Sequence, residues 1–438
     1  MGHAFARIAD LSTSPPRLQS VVGESAGILA PGVLLQALAG RQRPRVAWPP
    51  VMSPARRALV ASALGAGVSY SNLAVALPLL VLAQRGSSLL AGALLGVNTI
   101  AFSLGALLAL VLRRSEGGVA AGLTAIAAGD LLLLASPADA ALAVGALVHG
   151  VGMGLFWVGV QASLGRRSGA ARSQHAFVGQ YVVYVAGSAV GAALTGAAIA
   201  VLGALGLAHA ASIRGSFAVG AASALFALPA AISWLRRTEA APVSRRRPPP
   251  LRGFALQLPD LLLVAAMGML LNLAPVVLDD EFRFTPLAVG LVSGAIAAAK
   301  IGGSVTAGRL AHAAGSRLTV AGMLGCSALA MAVLAATHQA WLYVLLTVAA
   351  AFLAIGVWPV VVDGALARVS PEERHGLSVV WNVREYVAIA ATTALGGYLL
   401  DVSGRPTLLL VLATALLATG AGSALAVFGR PVYAPRTA

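Results

Sequence analysis

Ala295–Arg317 reads AIAAAKIGGSVTAGRLAHAAGSR, and how it is read decides the fold. Together with the residues before it, from Leu287 to Leu310, it forms a run without a single acidic residue. As a helix this run is long enough to cross about 30 Å of hydrocarbon. A helix on a soluble protein sets an apolar stripe against a charged face, and here no charged face exists. The run holds the only lysine of the chain, Lys300, and ends on the basic, glycine-flanked stretch Gly308–Arg317. A membrane crossing with one embedded cation and a tight polar turn at its end is the prediction.

The whole chain has the same character. Its 438 residues are 58% hydrophobic and 10% charged, and the mean hydropathy is +0.86. That leaves too little polar surface for a soluble protein of this length. Twelve apolar runs are predicted to span: Ala58–Gln84, Ser88–Leu112, Val119–Leu134, Ala140–Leu164, Ala176–Leu202, Phe217–Leu235, Leu261–Leu278, Leu287–Leu310, Leu318–Ala336, Trp341–Ala367, Leu377–Leu400 and Leu408–Phe428. They are spans 1 to 12 below. The single cysteine, Cys326, excludes an internal disulfide framework and a cysteine metal site.

The net charge of +15 would suit nucleic acid if the basic residues formed a patch. They do not. With the N-terminus inside, tails and inner loops hold 24 of the 30 Lys and Arg, outer loops hold four (Arg85, Arg214, Arg283, Arg405), and Lys300 and Arg384 lie within spans. This is the positive-inside distribution, which predicts an inner (plasma) membrane protein of bacterial type with both termini cytoplasmic and no nucleic-acid partner.

Residues 1–51 are predicted to be a disordered tail, with Met52 as an alternative start just before span 1. Their GESAG at Gly23–Gly27 lacks the strand-turn-helix setting of a nucleophile elbow and is read as coincidence. Residues 52–235 form a first six-helix bundle, 236–260 a cytoplasmic linker containing SRRRPPP, 261–428 a second bundle and 429–438 a tail.

The bundles repeat. At a shift of 202, GLFWVGVQASLGRRSGAAR from Gly154 lies over GVWPVVVDGALARVSPEER from Gly356, matching Gly154 with Gly356, Arg166 with Arg368 and Arg172 with Arg374. At a shift of 198, Gly92, Gly96, Gly105 and Gly117 meet Gly290, Gly294, Gly303 and Gly315, and Asn72-Leu73-Ala74 meets Asn272-Leu273-Ala274 at 200. Two similar halves in parallel topology imply a pathway between them.

GRLAHAAGSR at Gly308–Arg317 resembles the G-x-L-a-D-r-x-G-r-k loop of the major facilitator superfamily of secondary transporters, with His312 at the usual Asp position. The resemblance extends from about Met52 to the C-terminus and implies an all-α membrane protein of twelve transmembrane helices in two pseudo-symmetric halves. It further implies a cytoplasmic gate built from Gly308, Arg309, His312, Gly315 and Arg317, with Asp363 and Arg368 bonded nearby. The family's R-x-x-q-G element falls on Ala146–Gly150 without its Arg, and the helix-5 antiporter element from Gly187 lacks its Pro.

Candidate solute and coupling residues are the polar groups within spans. Lys300 has two readings: a lysine snorkelling toward the interface about 12 Å away, or a cavity cation, where lysine differs from arginine in being able to release its proton. Arg384 and Glu385 point about 100° apart, so one is expected to face the cavity and the other a neighbouring helix, with Glu385 the better proton carrier. His149 is either a hydrogen-bonded neutral ring or a proton relay. Asp130 is placed at the outer end of span 3, at the interface. Asn72, Asn272, Tyr184 and Asn382, with Tyr70, Asn98, Gln180 and Trp358, lie on spans that line the central cavity in the resembled family, or else bond one helix to another.

The sequence thus predicts a monomeric, gradient-driven, proton-coupled carrier of a small organic solute, with export favoured by analogy with motif-poor family members. Uptake of an anionic metabolite held by Lys300 and Arg384 is one alternative, and a membrane scaffold or sensor without transport is another. No cofactor, metal site or catalytic centre is expected, since neither H-E-x-x-H nor G-x-x-x-x-G-K-[ST] occurs.

Overall fold

The computed structural model describes residues 54–111, 117–235, 255–366, 368 and 371–428. The predicted N-terminal tail with its GESAG, the loop at Arg113 and Arg114, the SRRRPPP linker and the C-terminal tail lie outside the described residues. Among the described residues, twelve helices are long and apolar enough to span: Arg57–Arg85, Ser88–Ala109, Gly117–Ala135, Asp139–Gln161, Gly179–Ala204, His209–Ser233, Leu258–Asp280, Pro286–Ala314, Ser316–Ala335, Ala340–Ala365, Val380–Ser403 and Thr407–Val427. Each covers one predicted span. Twelve crossings return the chain to the face it started from, here called the terminal face.

Three boundaries differ from the sequence reading. Helix runs unbroken from Asp139 to Ala204, through spans 4 and 5. The chain nevertheless reverses, because the Trp157 and Tyr184 rings are 4.9 Å apart, where a straight helix would separate them by about 40 Å. Span 7 starts at Leu258, so Asp260 belongs to a helix rather than to a linker. Span 10 contains a π-helical turn, Ala351–Ile355. Its position follows from Pro359, which has no N–H to give the carbonyl one turn back, and a widened turn accommodates that loss.

Lipid-facing positions are apolar and exposed, as in Phe226 at 85% and Leu329 at 65%, because the surrounding solvent is hydrocarbon. The interior is joined by small residues and hydrogen bonds. Asn72 Nδ2 donates to Thr195 Oγ1 at 2.8 Å between spans 1 and 5. Asn272 Nδ2 donates to Thr393 Oγ1 at 3.0 Å between spans 7 and 11. The same amide-to-hydroxyl bond therefore recurs in both halves, from the two asparagines that the repeat pairs. The glycine pairs behave likewise: Gly105 and Gly154 bring spans 2 and 4 into backbone contact, as Gly303 and Gly356 do for spans 8 and 10.

The halves are joined most tightly at the face opposite the termini. A Cβ on Gly92 would lie 2.6 Å from Thr393 O, and one on Gly290 would lie 2.5 Å from Ala192 O. One turn on, the distances are 3.2 Å from Gly96 to Ala390 O and 2.8 Å from Gly294 to Ala189 O. Span 2 on span 11 thus mirrors span 8 on span 5, each contact made by a glycine stripe that lets backbones touch. Leu77, Leu80 and Ile199 of the first half share one buried cluster with Leu278, Val289 and Leu399 of the second.

Candidate functional site

Below this seal a cavity of about 240 Å³ lies between the halves and reaches Gln161, the last residue of span 4. Its wall is aromatic and comes from both halves: Tyr70, Tyr181, Tyr184 and Trp157 on one side, Trp358 and Tyr386 on the other. The rings form a chain. Tyr70 and Tyr184 are 5.9 Å apart, Trp157 meets Tyr184 edge-on, and Tyr181 lies 5.2 Å from Trp358 across the interface. The π-turn ends at Ile355, itself a lining residue, and sets the direction in which Trp358 enters the cavity.

Five of the eight predicted solute or coupling residues line this cavity: Lys300, Glu385, Asn272, Tyr184 and Asn382. Lys300 is half-buried and lines the cavity. No ion pair of Lys300 is recorded among the described residues. Glu385 accepts from Trp358 Nε1 at 2.7 Å. Arg384, one position earlier, donates to Gln257 Oε1 at 2.6 Å and does not line the cavity.

His149 and Asn72 lie outside the cavity, in a polar cluster inside the first half. Asn98 Nδ2 donates to Ala146 O at 2.9 Å and to His149 Nδ1 at 3.0 Å. That makes Nδ1 an acceptor and puts the ring proton on Nε2. The Nε2–H then donates to Ser69 Oγ at 3.2 Å, and Ser69 Oγ–H donates to Asp130 Oδ2 at 2.5 Å. Asp130 is fully buried, which corrects its interfacial placement. Room for it comes from Gly220 of span 6, whose Cβ would lie 2.5 Å from Asp130 Oδ2. Asn72 also donates to Ser216 O at 2.9 Å, tying span 1 to the start of span 6.

At the terminal face the predicted gate residues Gly308, Arg309, His312 and Arg317 are exposed, and no ion pair of Arg309, His312 or Arg317 is recorded among the described residues. Gly315 has φ +84°, which explains a glycine at the turn between spans 8 and 9. Asp363 is exposed near the end of span 10. Arg368 donates to Val427 O at 3.2 Å and Phe428 O at 3.1 Å, capping the carbonyl end of span 12.

Sequence reasoning missed Asp260 and Trp381. Asp260 is 1% exposed, and the Trp381 indole N–H donates to its Oδ2. An acid in the first turn of a very apolar span was the available signal.

No protein-family model matches the chain. No curated protein matches its sequence. Its fold does match solved structures. A POT family transporter in complex with a thioalcohol-conjugated peptide superposes with a TM-score of 0.68 at 12% identity, covering 84% of this chain and 95% of that one. A bacterial homologue of the human lysosomal transporter Spinster, inward-facing and occupied, gives 0.62 at 14% identity, covering 85% and 93%. The human organic anion transporter MFSD10 (TETRAN) gives 0.56 at 17% identity, covering 87% and 99%. The chain has the fold that these transporters share.

Proposed function

We propose that this protein is an alternating-access carrier that moves a small organic acid together with a proton. The observation that carries this reading is the pair of opposite charges, Lys300 and Glu385, in one interfacial cavity lined by both repeats. An uncompensated cation is costly to enclose in a low dielectric. A solute carboxylate or phosphate on Lys300 and a proton on Glu385 remove both charges, so the cavity closes most readily when both are bound. Binding both from one side is co-transport, which favours uptake driven by an inward proton gradient over export.

The size and lining bound the solute. A volume of about 240 Å³ is below the roughly 300–1,000 Å³ of drug-sized pockets. The aromatic wall suits a flat or apolar body. With the terminal face cytoplasmic, a seal at the opposite face and a cavity that reaches the last residue of span 4 support an inward-facing state.

Thermal unfolding of the purified full-length protein tests this, with monocarboxylates, dicarboxylates, amino acids and lipophilic cations as probes. A ligand at 100 times its Kd adds about 2.7 kcal/mol. Organic acids are expected to stabilise the wild type and not Lys300→Ala, with partial retention in Lys300→Arg. Stabilisation by lipophilic cations alone, equal in all three proteins, would overturn the acid assignment.

A further inference from the structure

Glu385 has a second carboxyl behind it. Glu385 is 6% exposed and lines the cavity, whereas Asp260, from the first turn of span 7, is 1% exposed and does not. A single indole N–H serves both: Trp381 Nε1 donates to Asp260 Oδ2 and lies 3.2 Å from Glu385 Oε1. The two carboxyls therefore converge on one donor. Two ionised carboxylates drawn to a single N–H repel each other in a low dielectric, which favours a proton on one of them. Asp260 Oδ1 has no hydrogen-bond donor among the described residues.

We propose that Asp260 and Glu385 form one proton-binding unit, the loading site of the coupled proton, and that Trp358 transmits its occupancy to the other half of the molecule. The role in coupling rests on the carrier reading above. Trp358 donates to Glu385 at 2.7 Å while its ring lies 5.2 Å from Tyr181 of the first half. Loss of the shared proton leaves two negative carboxyls in contact. They separate, Glu385 turns toward the wetter cavity, and the indole bonded to it moves against Tyr181. The proton is exchanged with cavity water, and no other bond is made or broken.

The charged and titratable groups facing the unit are few. Arg384 acts on Asp260 from span 11, Tyr386 and Tyr181 adjoin Glu385, and Lys300 faces the same cavity from span 8. Span 10 brings the exposed Asp363, and span 12 carries no ionisable residue. Arg384, whose charge acts on Asp260, favours leaving one of the two sites ionised, so the unit exchanges one proton.

Infrared spectroscopy of the purified full-length protein at neutral pH, with the isosteric variants Asp260→Asn and Glu385→Gln, reads the shared proton directly. Each substitution is expected to remove the same protonated-carboxyl band. Loss of a different band in each, or of none in either, would overturn the unit. Should a variant fail to fold, the wild type still decides: raising the pH must change tryptophan fluorescence in one step that Trp381→Phe abolishes, and a flat titration overturns the proposal.

The transmission is read by spin labels at Ala138→Cys and His338→Cys, exposed on the opposite face of the two halves, in a Cys326→Ser background. Their separation is expected to shift with pH in the wild type and to become pH-independent in both carboxyl variants. A shift that survives in both would overturn the coupling role. None of these measurements needs a solute, so their failure is distinct from failure of the carrier reading.

Discussion

The Ser88 backbone N–H donates a 2.7 Å hydrogen bond to Asp401 Oδ1 across 313 residues of chain. Leu89 N–H and Ser87 Oγ–H reach the other oxygen at 3.0 and 2.9 Å. A carboxylate at the end of span 11 thus caps the first turn of span 2, satisfying its free N–H groups and opposing the positive end of its dipole. The cap crosses the interface between the halves, so it stabilises only the state in which the opposite face is closed.

Asp401→Ala is therefore expected to shift the protein toward opening at that face. A lost cap is worth about 0.5–2 kcal/mol, roughly a two- to thirty-fold change in the ratio of states. Spin labels at Ala138→Cys and His338→Cys should report a larger population of long separations. An unchanged distribution would mean that the glycine stripes alone hold the seal.

The glycines make a sharper prediction because the repeat supplies its own control. Gly303→Ala puts a methyl group onto the Phe352 carbonyl, and Gly105→Ala puts one onto that of Val151, both backbone atoms that cannot turn aside. Gly308→Ala meets nothing within 4 Å. The first two should each cost about 1–3 kcal/mol in thermal unfolding, while Gly308→Ala stays near the wild type. Equal losses in all three would show that helix propensity rather than packing governs these sites.

The repeat explains why so much was legible in the sequence. Residues matched at shifts of 198 to 202 became structural equivalents, including Asn72 and Asn272, each bonded to a threonine, because membrane length and small-residue spacing constrain a span strongly. Azimuth was not legible. Lys300 and His149 looked alike as single ionisable residues in apolar runs, and only the neighbours of each show that one lines the cavity and the other is held by Asn98 and Ser69. Asp260 was lost for a different reason: its place beside Glu385 depends on a helix 121 residues away in the chain carrying Trp381.

Asn72 and Asn272 test the equivalence energetically. Both should lose stability on replacement by Ala, by about 0.6–1.7 kcal/mol for an interhelical bond in a membrane. Asn72→Ala should cost more, because its amide also holds Ser216 O and is fully buried. Thermal unfolding in detergent ranks them, and the reverse order would show that Ser216 finds another donor.

Asn98→Leu removes the donor of two buried acceptors, Ala146 O and His149 Nδ1, at nearly constant volume. Ala146 O keeps its helical partner, but His149 Nδ1 is left unsatisfied at a cost of about 1–3 kcal/mol, so a fall in unfolding temperature is expected. With Nδ1 released, His149 can turn its ring, and the chain of donors from His149 through Ser69 to Asp130 loses its direction. The cluster lies apart from the cavity, so affinity for a stabilising acid should change less than twofold, about 0.4 kcal/mol. Loss of binding with stability intact would instead place His149 in the transport cycle. The same measurement on Ser69→Ala, which cuts the chain one bond further on, would locate the break.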